Sequence, residues 1–252
     1  MTCRMVLKRM GWVVWGVLAA GVMWGIGGGV WAREGGEAAP RVVRPGATDD
    51  APPSDAVVLF DGRDLSKWEH VGGGAAKWKV RDGQMIVVPG TGDIVTRQSY
   101  GSCQLHIEWM VPHEQGGSGQ HVGNSGIKFQ TQYEIQVLES HDHTTRPEGQ
   151  AGAIYAQHPP LVNACRPPNV WQSYDIVFLA PKRDGSGKVV EPGRFTVFQN
   201  GVLIHHNAKI LGKTGGAPPP RYHDHAPRMP LLLQDHGHAV RYRNIWLRQL
   251  GA

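Results

Sequence analysis

Charge is sparse in this chain, and cysteine sparser. Only 19% of the 252 residues are Asp, Glu, Lys or Arg, and three are cysteine. Beyond the N-terminus there is no long Lys/Arg block, so the formal charge of +5 gives little support to nucleic-acid binding. Cys3 lies ahead of the first apolar run rather than after it, which argues against a lipoprotein. No stretch carries the i, i+3, i+4 apolar spacing of an amphipathic helix and no segment repeats, so a helix bundle is excluded.

What is present begins with an export pattern. Residues 1–32 contain Arg4, Lys8 and Arg9 and no acid, then an apolar run from Gly11 to Val30 ending at Ala32. Basic start, apolar middle and small-residue end read as a secretory signal peptide over 1–32. The run is about 20 residues, long enough for an uncleaved anchor, but Gly16, Gly21, Gly25, Gly27 and Gly28 weaken a stable span. Cleavage after Ala32 is the expectation, with no membrane span afterwards and a periplasmic or secreted product. It also removes three positive charges and leaves +2. Two cysteines then remain, Cys103 and Cys165; a bridge between them and a pair of buried thiols both stay open.

Residues 33–54 are rich in Ala, Pro, Gly and acids without periodicity and read as a disordered tether. From 55 to 252 the pattern is one all-β domain. Thirty-four glycines and 18 prolines punctuate short apolar segments at intervals of about 8–12 residues. Strands are expected at 57–60, 77–80, 85–88, 94–96, 103–111, 126–130, 133–138, 153–155, 173–179, 194–198, 202–205, 231–234 and 240–247. Asp61-Gly62, Asp82-Gly83, Asp184-Gly185 and Asn200-Gly201 mark the turns. Alternation puts Cys103, Leu105, Ile107 and Trp109 on one face and Gln104, His106 and Glu108 on the other. It likewise sets Glu134 and Gln136 opposite Tyr133, Ile135 and Val137.

Several segments, in order, carry a family resemblance. They are Val58 to Trp68 (VLFDGRDLSKW), Trp78 to Gly83 (WKVRDG), Gly123 to Ile127 (GNSGI) and Tyr133 to Leu138 (YEIQVL). Gly152 to Tyr155 (GAIY), Trp171 to Ile176 (WQSYDI), Leu233 to Gly237 (LQDHG) and Arg241 to Ile245 (RYRNI) follow. Together, over about Val57 to Leu250, they resemble the 3-keto-disaccharide hydrolase family. The resemblance implies a concanavalin A-like jelly-roll β-sandwich, export, and cleavage of 3-keto-glycosides.

A carbonyl at C3 of a sugar makes the C2 proton removable and leaves the C1 oxygen β to it, ready for elimination; water added to the enone completes a net hydrolysis. That route needs a base at C2, a group to stabilise the enolate and an acid for the leaving oxygen. Glu134 is the first candidate, with a structural ion pair, for instance to Arg243, as the competing reading. His236 and His158 are the candidate proton carriers, imidazole being the side chain suited to that work at physiological pH, with His158 projected by Pro159-Pro160. Asn124, Gln136, Gln234, Asp235 and Arg243 suit the binding of sugar hydroxyls or the enolate. Trp68, Trp109 and Trp171 read better as packing than as sugar-stacking faces.

A double-displacement glycosidase would need a second acid on the same strand face, where Gln136 and Leu138 follow Glu134. His141-Asp142-His143 with Glu148, and His223-Asp224-His225, have metal-like spacing but lie in Pro- or Thr-rich segments without strand pattern. No metal or other cofactor is therefore expected, and a structural calcium leaves no readable signature. The expected partner is a small carbohydrate, not nucleic acid; the oligomeric state is not legible. The alternative function is a non-catalytic carbohydrate-binding module of the same fold.

Overall fold

In the computed structural model, residues 39–113, 117–142, 145–215 and 219–251 are described; the expected signal peptide lies outside them. The chain from Val42 onward forms one compact unit. Its strands are β1 (Val57–Phe60), β2 (Trp68–His70), β3 (Lys79–Arg81), β4 (Gln84–Ile86), β5 (Ile94–Tyr100), β6 (Cys103–Met110), β7 (Ser125–Phe129) and β8 (Tyr133–Val137). They continue with β9 (Gln172–Leu179), β10 (Lys182–Arg183), β11 (Val189–Glu191), β12 (Arg194–Gln199), β13 (Val202–Lys209), β14 (Met229–Leu233) and β15 (Arg241–Gln249). Among the described residues the only helical elements are two short 3-10 turns.

Two antiparallel sheets pack face to face as a jelly-roll sandwich. The larger runs β13-β12-β9-β6-β15-β4-β3 with β1 paired to β15; the smaller runs β2-β5-β14-β7-β8. β10 and β11 form a separate hairpin. Inward residues of both sheets make the core: Leu105, Ile107, Trp109, Tyr174, Ile176 and Tyr242 from the larger, Ile94, Ile127, Phe129, Ile135 and Leu233 from the smaller. Tyr242 donates across it to Ser125 Oγ (2.7 Å) and Tyr174 to the Gln136 carbonyl (2.9 Å), so both buried phenols are satisfied from the facing sheet. Of the faces read for 103–109 and 133–137, Cys103, Leu105, Ile107, Trp109, Tyr133, Ile135 and Val137 lie in the core, while His106 and Glu108 line a cavity outside the larger sheet and Glu134 leans over Gly126 outside the smaller; burial itself does not alternate, because both faces of β8 are covered. Trp68 and Trp109 are fully buried and pack rather than face a ligand. Cys103 and Cys165 are both free thiols.

Three expectations change. The segment 153–155 is not a strand of its own; Ile154 makes single bridges to Ile135 and His158, lengthening the β8 edge. β2 and the β10-β11 hairpin lacked an apolar alternation to announce them. The tether also ends earlier than 54, because the Asp50 carbonyl accepts from Asn244 Nδ2 (3.0 Å) and Trp246 Nε1 (2.8 Å). Those donors stand outward on β15 and pin the strap to the larger sheet.

Candidate active site

The outward face of the smaller sheet gathers the polar residues of β7, β8 and β14. Register sets Lys128 opposite Glu134 and Gly126 opposite Gln136, while Gln234 donates its backbone N–H to the Gly126 carbonyl (3.0 Å). Gly126 is the floor of this group. A β-carbon there would lie 2.4 Å from Glu134 Oε1 and 3.2 Å from Gln234 Oε1, so both side chains lean over the space that the glycine leaves. The Gln136 amide sits beside Glu134 Oε1 and the Ser125 carbonyl, both acceptors; with its nitrogen turned toward them it donates to each (3.2 and 2.9 Å).

Glu134 is only 4% exposed. Burial raises its pKa above the ordinary carboxylate value, Lys128 opposes that, and nearby Asp93 adds to the rise. Lys128 Nζ stands 3.6 Å from Glu134 Oε2; this is the ion pair the sequence assigned to an arginine. A desolvated carboxylate held beside one ammonium is a stronger base than a surface glutamate, and still ionisable.

The loops above this face are braced by acids. Asp93 Oδ1 accepts from the Asp235 N–H (2.8 Å), and Asp235 accepts from the Gly92 and Gly237 N–H groups (2.9 and 3.0 Å). Asp235, expected to bind sugar, thus spends both oxygens holding two loops together. His236, in the second loop, is exposed, its ring stacked near that of His238 (6.5 Å). Asn124 is buried and donates to the Gln120 carbonyl (2.8 Å), which shapes the approach to β7 rather than offering a free amide.

Two expected site residues lie elsewhere. His158 is turned to the edge of the larger sheet, its Nε2 2.8 Å from the Lys209 carbonyl at the end of β13; the extended backbone before Pro159 aims it there. Arg243 points out of β15 on the opposite side of the sandwich, its Nε on Glu108 Oε2 (2.6 Å) and its guanidinium 4.1 Å over the Trp171 ring. His158 was read from the prolines that follow it and Arg243 from its charge, and neither signal says which sheet the residue will face. Conversely, Lys128, Asp93 and Gly126 were missed. Lys128 and Gly126 share the parity of Asn124 along β7, which would have placed them on one face had the β7-β8 register been known. Asp93 gave no signal.

Among the described residues no three His, Cys, Asp or Glu side chains converge as a metal set. From the second histidine pair, His225 instead meets the Tyr133 hydroxyl (2.7 Å), and Glu148 faces Arg146.

The Arg243 side has its own electrostatics. Burial alone would lower His106, but hydrogen bonds to Asp175 and Glu108 hold it at about 9. A folded-state pKa above the unfolded value near 6.5 means stabilisation fully present below that value and lost as pH climbs through about 9. The thermal midpoint is therefore expected to fall between pH 6.5 and 9, and to fall less steeply in His106→Gln. Parallel slopes in the two proteins would contradict it.

Comparisons with known proteins bear on the family and the fold. A family model described as a 3-keto-alpha-glucoside-1,2-lyase-like domain matches residues 55–248. A crystal structure of a candidate glycosyl hydrolase from Parabacteroides distasonis ATCC 8503 is 44% identical, with TM-score 0.82 over 86% of this chain and 95% of that one. Another candidate glycosyl hydrolase from the same organism, at 22% identity and TM-score 0.56 over 78% of this chain and 94% of that one, shares the fold. No curated protein matches. With nearly the whole all-β unit inside the match, the chain belongs to the 3-keto-disaccharide hydrolase family, whose members are glycoside-acting, carbohydrate-active proteins.

Proposed function

We propose that the protein is an exported enzyme that cleaves 3-keto-α-glucosides by elimination across C1–C2, followed by hydration of the enone. The observation that carries this reading is Glu134: a carboxylate almost wholly buried on an outward sheet face, with a raised pKa and one ammonium beside it. The lyase description of the family and the export pattern of residues 1–32 support the same reading.

Glu134 takes the C2 proton; the C2–H electron pair moves into the enolate of the C3 ketone. Lys128 is the cation available to stabilise the oxygen of that enolate. Collapse of the enolate forms the C1=C2 bond and expels the C1 oxygen, which must gain a proton. In an α-glucoside the C2 hydrogen and C1 oxygen are trans-diaxial, so acid and base act on opposite faces of the ring. Glu134 cannot do both in one step. His236, exposed in the loop that Asp235 ties to Asp93, is the candidate acid. Gln234 and Gln136, flanking Glu134, orient the ring hydroxyls. Water adding at C1 of the enone then gives the 3-keto sugar.

The test is incubation of the purified protein with a 3-keto-α-glucoside, following aglycone release together with the 2-hydroxy-3-ketoglycal. Release of both supports the reading. Saturable binding with no release would make this a carbohydrate-binding module instead. His236→Ala is expected to slow release roughly 10²-fold for a poor leaving group, and much less for a nitrophenolate that needs no proton. Equal losses on the two substrates would remove His236 from the acid role.

A further inference from the structure

On the far side of the sandwich from Glu134, β6, β9 and β15 turn a second polar group outward around a cavity of about 350 Å3. We propose that this cavity is a second carbohydrate site, binding a neutral pyranoside without acting on it.

The floor is rigid. His106 lies against the Trp246 ring (5.2 Å between centroids, nearly parallel) and meets Asp175 Oδ1 through Nδ1 (2.7 Å). Glu108 accepts from Arg243 Nε (2.6 Å) and Asn244 Nδ2 (2.9 Å). Asn244 reaches the Glu108 carboxylate because β15 shifts register between Arg243 and Trp246 and Asn244 adopts a left-handed φ of 46°, the bulge conformation that asparagine tolerates.

What this floor fixes, it does not use up. Arg243 commits Nε to Glu108 and its face to Trp171, while among the described residues neither Nη has a hydrogen-bond partner. Asp175 commits Oδ1 to His106 and leaves Oδ2 uncommitted among the described residues, its side chain 42% exposed. Both side chains are partly exposed (43% and 42%), so water meets their free atoms in the empty protein; because the floor holds those atoms in place at a cavity, a ligand that replaces the water finds its donors and acceptors preorganised.

The charges around the cavity narrow the ligand. Carboxylates of Asp49, Asp50, Glu108 and Asp175 face the cations of Arg166 and Arg243 and the His106 ring. The two signs nearly balance, which favours neither a free anion nor a bare metal ion. Fixed donors beside fixed acceptors, next to a half-buried Trp171, match the vicinal hydroxyls and apolar patch of an uncharged sugar. One wall belongs to the strap at Asp49–Asp50, held by Asn244 and Trp246. The site therefore forms only when the segment leading into the domain is docked. It would hold the protein on a glycan while the Glu134 face acts on a separate keto sugar.

The experiment uses the full chain carrying Glu134→Gln, so that no turnover intrudes, titrated with methyl α-D-glucopyranoside and with maltose. The Trp171 indole N–H resonance, assigned by its loss in Trp171→Phe, is followed by NMR. A saturable shift at Trp171 that weakens at least about tenfold in Arg166→Ala is the expected result, with a matching loss in Trp171→Ala read at the Trp246 indole N–H, which donates to the Asp50 carbonyl on the cavity wall. In the background with Glu134 intact, Trp171→Ala should leave turnover of a soluble 3-keto-glucoside within about twofold. Two results would overturn the proposal: no saturable shift at Trp171 with either sugar, or shifts confined to the Gln136 and Gln234 side. Loss of the Glu134 reading would show instead as absent turnover, with the Trp171 titration unchanged.

Discussion

Glu134→Gln is expected to lower turnover of a 3-keto-α-glucoside by roughly 10²–10⁴-fold and, at neutral pH, to leave the protein as stable as the parent or more so. The two effects share one cause. The folded-state pKa of Glu134 lies above its ordinary value of 4.5, chiefly through burial. Folding thus disfavours the ionised form: stability is full below about pH 4.5 and falls as pH rises through the raised value. A neutral isostere abolishes that loss. Lys128 gives up its partner, but its side chain is 21% exposed and water can take over. Activity depends on the same ionisation with the opposite sign, vanishing as pH falls through the raised pKa. Thermal midpoints from pH 4.5 to 8, set beside kcat, check both halves. A variant that keeps full turnover, or one that unfolds at lower temperature than the parent across that range, would contradict the assignment.

Gly126→Ala separates catalysis from stability by another route. Gly126 lies within β7 and its φ is not positive, so alanine suits the strand backbone and is intrinsically favoured by about 0.5–1 kcal/mol. Its methyl, however, would stand 2.4 Å from Glu134 Oε1 and 2.9 Å from Cδ, closer than those atoms can approach. Strand backbone is harder to move than a carboxylate, so the carboxylate moves. Displacing a base by about 1 Å can lower a rate some 10²-fold. The expected result is kcat reduced by ten- to a hundredfold on that scale, with an unfolding midpoint close to the parent's. Unchanged kcat would show that the base does not occupy the space over Gly126.

Alternation carried most of the sandwich into view. The pattern Tyr133-Glu134-Ile135-Gln136 put a carboxylate and an amide on one face, and β8 keeps them there. The LQDHG segment put Gln234 and His236 near a strand end; Gln234 leans over Gly126 on the same face, and His236 lies exposed in the loop beyond. Alternation is a statement about one strand, however, and the site is built across three. Lys128 and Gly126 became neighbours of Glu134 only through the β7-β8 register. Arg243 went to the other sheet because β15 pairs with β6 rather than with β7. His158 was read by its prolines, which fix the backbone but not the acceptor that its ring finds at Lys209. The strap at Asp50 is held by side chains of β15, almost 200 residues away, and no local pattern could announce it.

The central claim is that the C2 proton of the sugar is removed on Glu134. A 3-keto-α-glucoside deuterated at C2, turned over in ordinary water, reports on it directly. The account predicts a primary isotope effect of several-fold on kcat under conditions where chemistry limits the rate. It also predicts full loss of deuterium from the hydrated product, with both signatures collapsing in Glu134→Gln. Product that retains the C2 deuteron, released with no isotope effect, would mean that the glycosidic bond breaks without enolisation, and would contradict the account.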